Sequence, residues 1–412
     1  METTQTASKT SSSKVYFPGM NGIRFFAAFS VIFHHIEQTK FWINDPVQNN
    51  FPHLWNTMLC DNIGHKGRII FFVLSGFLIT YLFLAEINKT GTLNLRKFHT
   101  RRALRVWPVY ILVVIIAFTL LPAVSNIYHH TGVSFNSELH QNFWVKFAIV
   151  GLMMANFARF LFEPILGVTQ LWSIAVQEQF YLVWPFLTRF FKKSFPVFVS
   201  TFILVKVFLE IAMKIYAENY GIFPNNVITP ERLSTMIRWW DVFAVDQLAI
   251  GALCAYILIY KKDKILNVIY NPVFSGATIL LYIYLFFVRV DFYGHTFVEG
   301  LIAAVIMMNI STNMKFPVKL ENRFLNYMGN ISYGIYLFHN ISIITILNLI
   351  IYHTNLQGNV LMFNLVLYTG SIVMTIALSA ISYKYVENYF LKLKSKYEVI
   401  KSSRNESVQK QP

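Results

Sequence analysis

Long apolar segments alternate with short polar ones along almost the whole chain. Eleven apolar windows can be drawn, each close to the roughly 20 residues that a membrane-spanning helix needs. They cover residues 21–39, 66–86, 104–122, 143–160, 171–190, 196–216, 240–260, 271–289, 296–313, 327–352 and 361–386. Apolar runs of this length, repeated through the chain, predict an all-α fold, a polytopic bundle of transmembrane helices.

The basic residues between the windows indicate on which side of the membrane each loop lies, since cytoplasmic loops carry an excess of Lys and Arg. The loop between the second and third windows is strongly basic, whereas 123–142 and 353–360 contain no Lys or Arg. Passing from an outer loop at 142 to a cytoplasmic one at 189 requires an odd number of crossings, yet two windows lie there. We therefore predict about ten spans, with 143–160 re-entrant or lying against the outer surface, and both termini cytoplasmic.

The composition supports a membrane protein and argues against other classes. Of the 412 residues, 55% are hydrophobic and 13% charged, against about 25% charged in a typical soluble domain. The net charge of +15 could favour nucleic acid, but the basic residues lie between apolar windows and more simply report orientation in a lipid bilayer. For the same reason no nucleic-acid partner is expected. Cys60 and Cys254 have no metal-ligand spacing, so no metal is expected either.

Both ends of the chain are polar. Residues 1–16, rich in Ser and Thr, and the basic residues 393–412 are predicted to be disordered tails. Residues 17–392 are predicted to form one transmembrane domain. The first window lacks a small-residue cleavage site before its polar residues, so we expect it to be retained as a helix.

The first window carries ionisable residues, which are costly inside a membrane. Arg24 stands at its start, and His34 and His35 stand near its end. Arg24 and His35 are eleven residues apart, close to three helical turns, so they share one face about 16 Å apart, while His34 is turned about 100° away. Either this face lines a pathway through the bundle, or Arg24 reaches phospholipid head groups and His35 is a hydrogen-bonded core residue.

Three later windows add further polar residues. Arg102 and Arg105 share a helix face and could hold phosphate groups bidentately or serve only as cytoplasmic anchors. Glu178 is a carboxylate in an apolar window, able either to orient an imidazole or to neutralise a buried arginine. Ser332 and His339 lie in a late window, where a helix–helix hydrogen bond suits His339 better than catalysis.

Seven motifs, in order, resemble those of the membrane acyltransferase type 3 family. Its members are integral membrane enzymes that move acyl groups, usually acetyl, onto glycans and other hydroxyl acceptors. The motifs are "RFFAAFSVIFHH" at 24–35, "FFVLSGFLIT" at 71–80, "RRALRVWP" at 101–108, "LWSIAVQEQFYLVWP" at 171–185, "DQLAIGALCAY" at 246–256, "GNISYGIYLFH" at 329–339 and "YKYVENYF" at 383–390. The resemblance covers about residues 17–392.

The resemblance implies roles for individual residues. The ten-residue gap after Arg24 selects His35 as the family's essential histidine, a general base or a transient acyl carrier, assisted by Arg24 and Glu178. The acyl-CoA donor would be bound at Arg102 and Arg105, with Ser75 in the family's SGF motif. The residues expected to line the rest of the pathway are Trp172, Ser173, Ser332 and His339.

The implied function is O-acetyl transfer from acetyl-CoA to a hydroxyl of a cell-surface glycan or its lipid-linked precursor, in the bacterial cytoplasmic membrane. Two departures stand out. Gln177 replaces the first of two adjacent acidic residues, and "RII" at 68–70 replaces the more usual acidic-containing start of the SGF helix. Two alternatives stay open: a multi-span transporter that binds an anionic substrate through Arg, His and Glu, and a regulatory protein with a degenerate acyltransferase core.

Overall fold

The computed structural model describes residues 15–44, 57–124, 128–129, 134–220, 236–237, 239–288, 290 and 292–398. Most of the two predicted tails, 1–16 and 393–412, lies outside these residues.

Helices make up almost all of the described structure, so the all-α prediction is confirmed. The helices are α1 (Met20–Trp42), α2 (Thr57–Thr90), α3 (Leu95–Val124), α4 (Phe135–His140), α5 (Phe143–Gly151), α6 (Ala155–Leu161), α7 (Leu171–Phe190), α8 (Phe195–Tyr220), α9 (Val245–Ile259), α10 (Asp263–Ile269), α11 (Pro272–Phe287), α12 (His295–Thr312), α13 (Arg323–His353), α14 (Val360–Ser382) and α15 (Asn388–Ser395). A 3-10 turn at Leu356–Gly358 precedes α14, and a π-helical turn at Tyr383–Glu387 follows it. Two short strands, β1 (Ile43–Asn44) and β2 (Tyr128–His129), pair antiparallel.

Among the described residues, seven helices are long and apolar enough to cross a membrane, or eight if α10 and α11, bent by 54° at their junction, form one broken span. Such helices are those of an integral membrane protein. The helices α1 and α7, with 23 and 20 residues, are long enough but are not among the seven, because polar residues such as His35 and Glu178 lower their hydropathy. The number of ten spans therefore stays a prediction.

The window at 143–160 is not one continuous helix. It folds as α5 and α6, which have 9 and 7 residues. Between them Met153 adopts a φ of 61°, in the left-handed region that an α-helix cannot continue through. Neither piece is long enough to cross the roughly 30 Å hydrocarbon core of a bilayer.

Apolar side chains cover the outside of the bundle on several helices. Phe208 of α8, Leu280 of α11 and Val373 of α14 are 69%, 70% and 66% exposed. A single exposed apolar residue is ordinary, but rows of them on long helices are expected where the helix faces hydrocarbon. The ionisable residues instead gather inside, where the candidate site is found.

The helices α2 and α9 approach each other closely in the core. Gly76, in the SGF motif of α2, lies against the backbone of Leu248, and Gly251 of α9 lies against the backbone of Val73. A Cβ at either glycine would collide with a carbonyl oxygen. Small residues that let two helix backbones touch are a common packing device in membranes, so the motif's glycine has a structural role.

We expect Gly76→Ala to destabilise the protein. The added methyl group would push α9 away, and overpacking of this kind costs about 1–3 kcal/mol. The measurement is the thermal denaturation of the purified protein in detergent. Gly276→Ala in α11 is the matched control, because open space surrounds that position. If both variants melted at the wild-type temperature, the close contact would be wrong.

Candidate active site

A cavity of about 520 Å³ opens among α1, α2, α6, α7 and α13. This volume is within the roughly 300–1,000 Å³ of small-molecule sites. Several ionisable and aromatic side chains line it, among them His34, His35, His65, Arg68, Arg159, Trp172 and Tyr336.

The hydrogen bonds of His35, which lines this cavity, indicate which of its ring nitrogens carries the proton. Its Nδ1 atom lies 3.0 Å from the carbonyl oxygen of Val31, one turn earlier in α1, and 3.1 Å from Nε2 of His339. A carbonyl oxygen can only accept, so the proton of the neutral ring is on Nδ1. The Nε2 atom of His35 then carries a lone pair, as a general base requires.

His339 holds this imidazole from the opposite helix. It is fully buried in α13, with its ring centre 4.8 Å from that of His35. The prediction of a helix–helix hydrogen bond for His339 is confirmed. Its partner, 304 residues away in the chain, could not be read from the sequence.

His34 lies on the same cavity, whereas the helical periodicity predicted that it would turn away. Its Nδ1 atom is 3.5 Å from a carboxylate oxygen of Asp61 in α2. Gly64, one turn further along α2, packs directly against the His34 side chain. The cavity lies between α1 and α2, so it is wide enough for two successive residues of α1 to reach it.

The start of α7 also belongs to this region. Trp172 lines the cavity, and the hydroxyl of the buried Ser173 lies 2.6 Å from that of Tyr336. Ser332 was expected to line the pathway too. Instead its hydroxyl donates to the carbonyl of Gly329 in its own helix, at 2.7 Å, and it is not part of the cavity lining.

A second polar group joins α2, α3 and α7. The guanidinium of Arg102 lies 3.9 Å from the ring centre of Tyr181, and the charges of Arg102 and Arg105 act on Glu178. Ser75 donates to the amide oxygen of Gln177 at 3.1 Å. The structure thus brings together four of the predicted residues: Arg102, Arg105, Ser75 and Glu178.

The sequence left two roles open for Glu178, orienting an imidazole or neutralising a buried arginine. The hydrogen bonds of His35 go to Val31 and His339, and Glu178 has none to His35 within the described structure. The reason is depth: Glu178 is six residues after Trp172, about 9 Å further along α7. The charges of Arg102 and Arg105 act on Glu178, which agrees with the other role, neutralising positive charge.

Arg24 lies at the start of α1, away from the cavity. Its guanidinium donates to the side-chain oxygen of Asn21 at 3.2 Å. The ten residues between Arg24 and His35 are helical throughout, so the two are about 16 Å apart along the axis. The structure does not bring them into contact.

Two arginines of the cavity, Arg68 and Arg159, were not among the predicted site residues. Arg68 was noticed only as a departure from the family's motif. An arginine inside an apolar window is a signal for a functional site, and both residues carry it: each lies within one of the eleven windows.

Comparison with known proteins agrees with the motifs. The family model for the acyltransferase domain, type 3, matches residues 17–384, and the chain belongs to this family. It is similar to O-acetyltransferase OatA of Staphylococcus aureus, strains NCTC 8325 and COL, with 26% identity over 396 residues in each case.

Those alignments cover 90% of this chain but 57% of each relative. The chain therefore spans a little over half the length of these curated relatives. No solved structure matches it.

Proposed function

We propose that this protein is a membrane O-acyltransferase that moves an acetyl group from acetyl-CoA to a hydroxyl of a cell-surface glycan or its lipid-linked precursor. The observation that carries the proposal is His35, whose Nδ1 atom is held by Val31 and His339 while its side chain lines a cavity large enough for sugar residues. The name O-acetyltransferase of the similar S. aureus proteins supports it.

The orientation follows from a bundle of ten spans. The seven apolar helices, the bent pair α10–α11, and the two polar helices α1 and α7 supply that number, with α5 and α6 not crossing. With the basic loops in the cytoplasm, Arg102 and Arg105 lie near the cytoplasmic side. His35 lies in the outer half, in what we propose is the bacterial cytoplasmic membrane.

The second polar group is then the donor site. Arginine forks bind phosphate oxygens bidentately, so Arg102 and Arg105 would hold the phosphates of CoA at the cytoplasmic mouth, assisted by Arg24 of α1. The pantetheine arm would extend outward along α7 towards His35. Because α7 contributes Glu178 to one site and Trp172 to the other, it positions donor and acceptor on one rigid element.

In the acetyl transfer, His35 would act either as a general base or as the carrier of the acetyl group. In the direct route, Nε2 takes the proton of the acceptor hydroxyl as its oxygen attacks the thioester carbonyl, the C–S bond breaks, and the CoA sulfur leaves and receives the proton. In the two-step route, Nε2 attacks the thioester carbonyl and the C–S bond breaks, so that CoA leaves as the thiolate. The acceptor hydroxyl then attacks the acetyl carbon, the C–N bond to Nε2 breaks, and the hydroxyl proton passes to the CoA sulfur. Both routes require the Nδ1-protonated ring that the carbonyl oxygen of Val31 favours.

Incubating the protein in lipid nanodiscs with [14C]acetyl-CoA and surface glycans tests the function. The proposal expects label on the glycan that alkaline treatment releases as acetate, as for an O-ester. Protein that moved no label to any glycan, yet accumulated an anionic solute in liposomes without acetyl-CoA, would instead be a transporter.

His339 is expected to act as a positioning residue. His339→Phe removes one hydrogen bond to His35, worth about 1–2 kcal/mol, so kcat should fall roughly 5- to 30-fold while the KM for acetyl-CoA stays unchanged. His339→Gln, whose amide can restore the bond, should recover part of kcat. Equal kcat values for His339→Phe and wild type would show that the contact does not matter.

A further inference from the structure

Two arginines flank one tryptophan in the cavity beside His35. The guanidinium carbon of Arg68 lies 5.5 Å from the Trp172 ring centre, and that of Arg159 lies 5.2 Å from the same ring. An indole face attracts cations, but placing two guanidinium groups around one ring also brings like charges together, and each acts on the other. Such an arrangement calls for a negative partner.

The neighbouring carboxylates do not supply it. Three of them act on the charge of Arg68, and each forms a salt bridge with a lysine instead; Lys206 and Lys214 are in addition shared with Glu210. The pairs are Asp246 with Lys206 at 3.0 Å, Asp241 with Lys214 at 3.1 Å, and Glu299 with Lys66 at 3.0 Å.

None of these carboxylates forms a direct ion pair with Arg68 or Arg159, although they act on the charge of Arg68 from a distance. Among the residues that the structure describes, neither forms an ion pair, and Arg68 has a buried Nη1 atom without a hydrogen-bond partner. Its Nη2 atom is hydrogen-bonded to Nδ1 of His65, at 2.8 Å. A buried polar atom without a partner is costly, and a bound oxyanion would satisfy Nη1 of Arg68. Arg159 is exposed, so it is accessible to the same anion.

We infer that this cavity binds an acceptor that carries a negatively charged group, and that Arg68 and Arg159 hold this oxyanion while Trp172 contacts the sugar ring. The inference rests on the proposed function, because it names the chemistry of the acceptor. Guanidinium forks match carboxylate and phosphate oxygens alike, so the shared chemistry is an oxyanion on a sugar. The same cavity is lined by His35, so anchoring the anion would leave a hydroxyl of the sugar within the cavity for the base.

Binding to the full-length protein in nanodiscs, without acetyl-CoA, tests the inference. Three probes share one backbone: a glucuronate-containing tetrasaccharide, the same sugar with its carboxylates reduced to alcohols, and the reduced sugar bearing a phosphate monoester. At least one charged probe should bind about tenfold or more tightly than the neutral one, as one charge-assisted contact of about 1.5 kcal/mol or more requires. Which charged probe wins distinguishes a carboxylate acceptor from a phosphorylated one.

Variants assign the effect to the two arginines. Arg68→Gln and Arg159→Gln should each remove most of the preference for the charged probe, and Arg68→Lys, which keeps the charge but loses the fork, should retain part of it. Arg189→Gln is the matched control, since Arg189 is exposed at the far end of α7, about 26 Å from Trp172. Its preference should equal that of wild type.

Several results would overturn the inference: no binding of any probe, equal binding of neutral and charged probes, or an unchanged preference in both Gln variants. Failure of the proposed function is a separate result. If the protein bound the charged probe through Arg68 but never transferred acetate, the anion site would stand and the proposed enzymatic function would be wrong. If it acetylated neutral and charged glycans equally, the enzymatic function would stand and the anion site would be wrong.

Discussion

Replacing His35 by alanine is expected to abolish acetyl transfer, lowering its rate by at least about 100-fold, as removal of a general base does. If the histidine is also the acyl carrier, no transfer at all should remain. The affinity for acetyl-CoA should not change, because the proposed donor site at Arg102 and Arg105 lies towards the cytoplasmic side, away from His35. Steady-state transfer of [14C]acetate and equilibrium binding of acetyl-CoA measure the two quantities separately.

Two histidine variants serve as controls for His35→Ala. His353→Ala, at the exposed end of α13, should have wild-type activity. His34→Ala removes a cavity residue that does not contact His339, so it should reduce the rate less than His35→Ala does. Activity of His35→Ala within about threefold of wild type, well short of the loss expected for a general base, would remove His35 from the mechanism.

The second large effect is expected at the donor site. Replacing Arg102 and Arg105 together by glutamine should raise the KM for acetyl-CoA at least tenfold, since each charge-assisted hydrogen bond to phosphate is worth about 1.5–3 kcal/mol. Arg102→Lys should also raise KM, although it keeps the charge, because lysine loses both the fork and the stacking on Tyr181. In each case kcat should change less than KM.

The matched control for these substitutions is Arg96→Lys, at an exposed position near the start of α3. It should leave KM unchanged. Removing both arginines also takes away the positive charges that act on the Glu178 carboxylate. The thermal stability of the double variant is therefore measured as well. A folded double variant with the wild-type KM would show that CoA binds elsewhere.

The sequence predicted the helices well because the membrane imposes a simple rule on them. The window 171–190 coincides with α7, and 196–216 lies within α8, since an apolar run of spanning length can hardly fold otherwise in lipid. The break at Met153 was not foreseen, because nothing in the apolar pattern marks a single left-handed residue. The helical periodicity also predicted that His34 would turn away from the face of His35, yet both line the cavity. Periodicity gives the direction of a side chain around the helix axis but not the width of a cavity beside the helix.

The site was only partly predictable, for a different reason. The grouping of Ser75 with Arg102 and Arg105 was expected from the motifs, whereas the addition of Glu178 to this group depends on how α7 sits against α2 and α3. The contact of His339 with His35 joins positions far apart in the chain. Arg68 and Arg159 are recognised as a candidate anion site only because both lie against Trp172 and because the nearby carboxylates bind lysines. No spacing in the sequence predicts those contacts.

The most direct test of the central claim separates the two substrates by the membrane. Liposomes containing the protein enclose an oligosaccharide acceptor, and [14C]acetyl-CoA, which does not cross the bilayer, is added outside only. We predict labelled O-acetyl groups on the enclosed oligosaccharide with wild-type protein and none with His35→Ala. An unlabelled acceptor with wild type, or equal labelling by the two proteins, would contradict acetyl transfer through the bundle by way of His35.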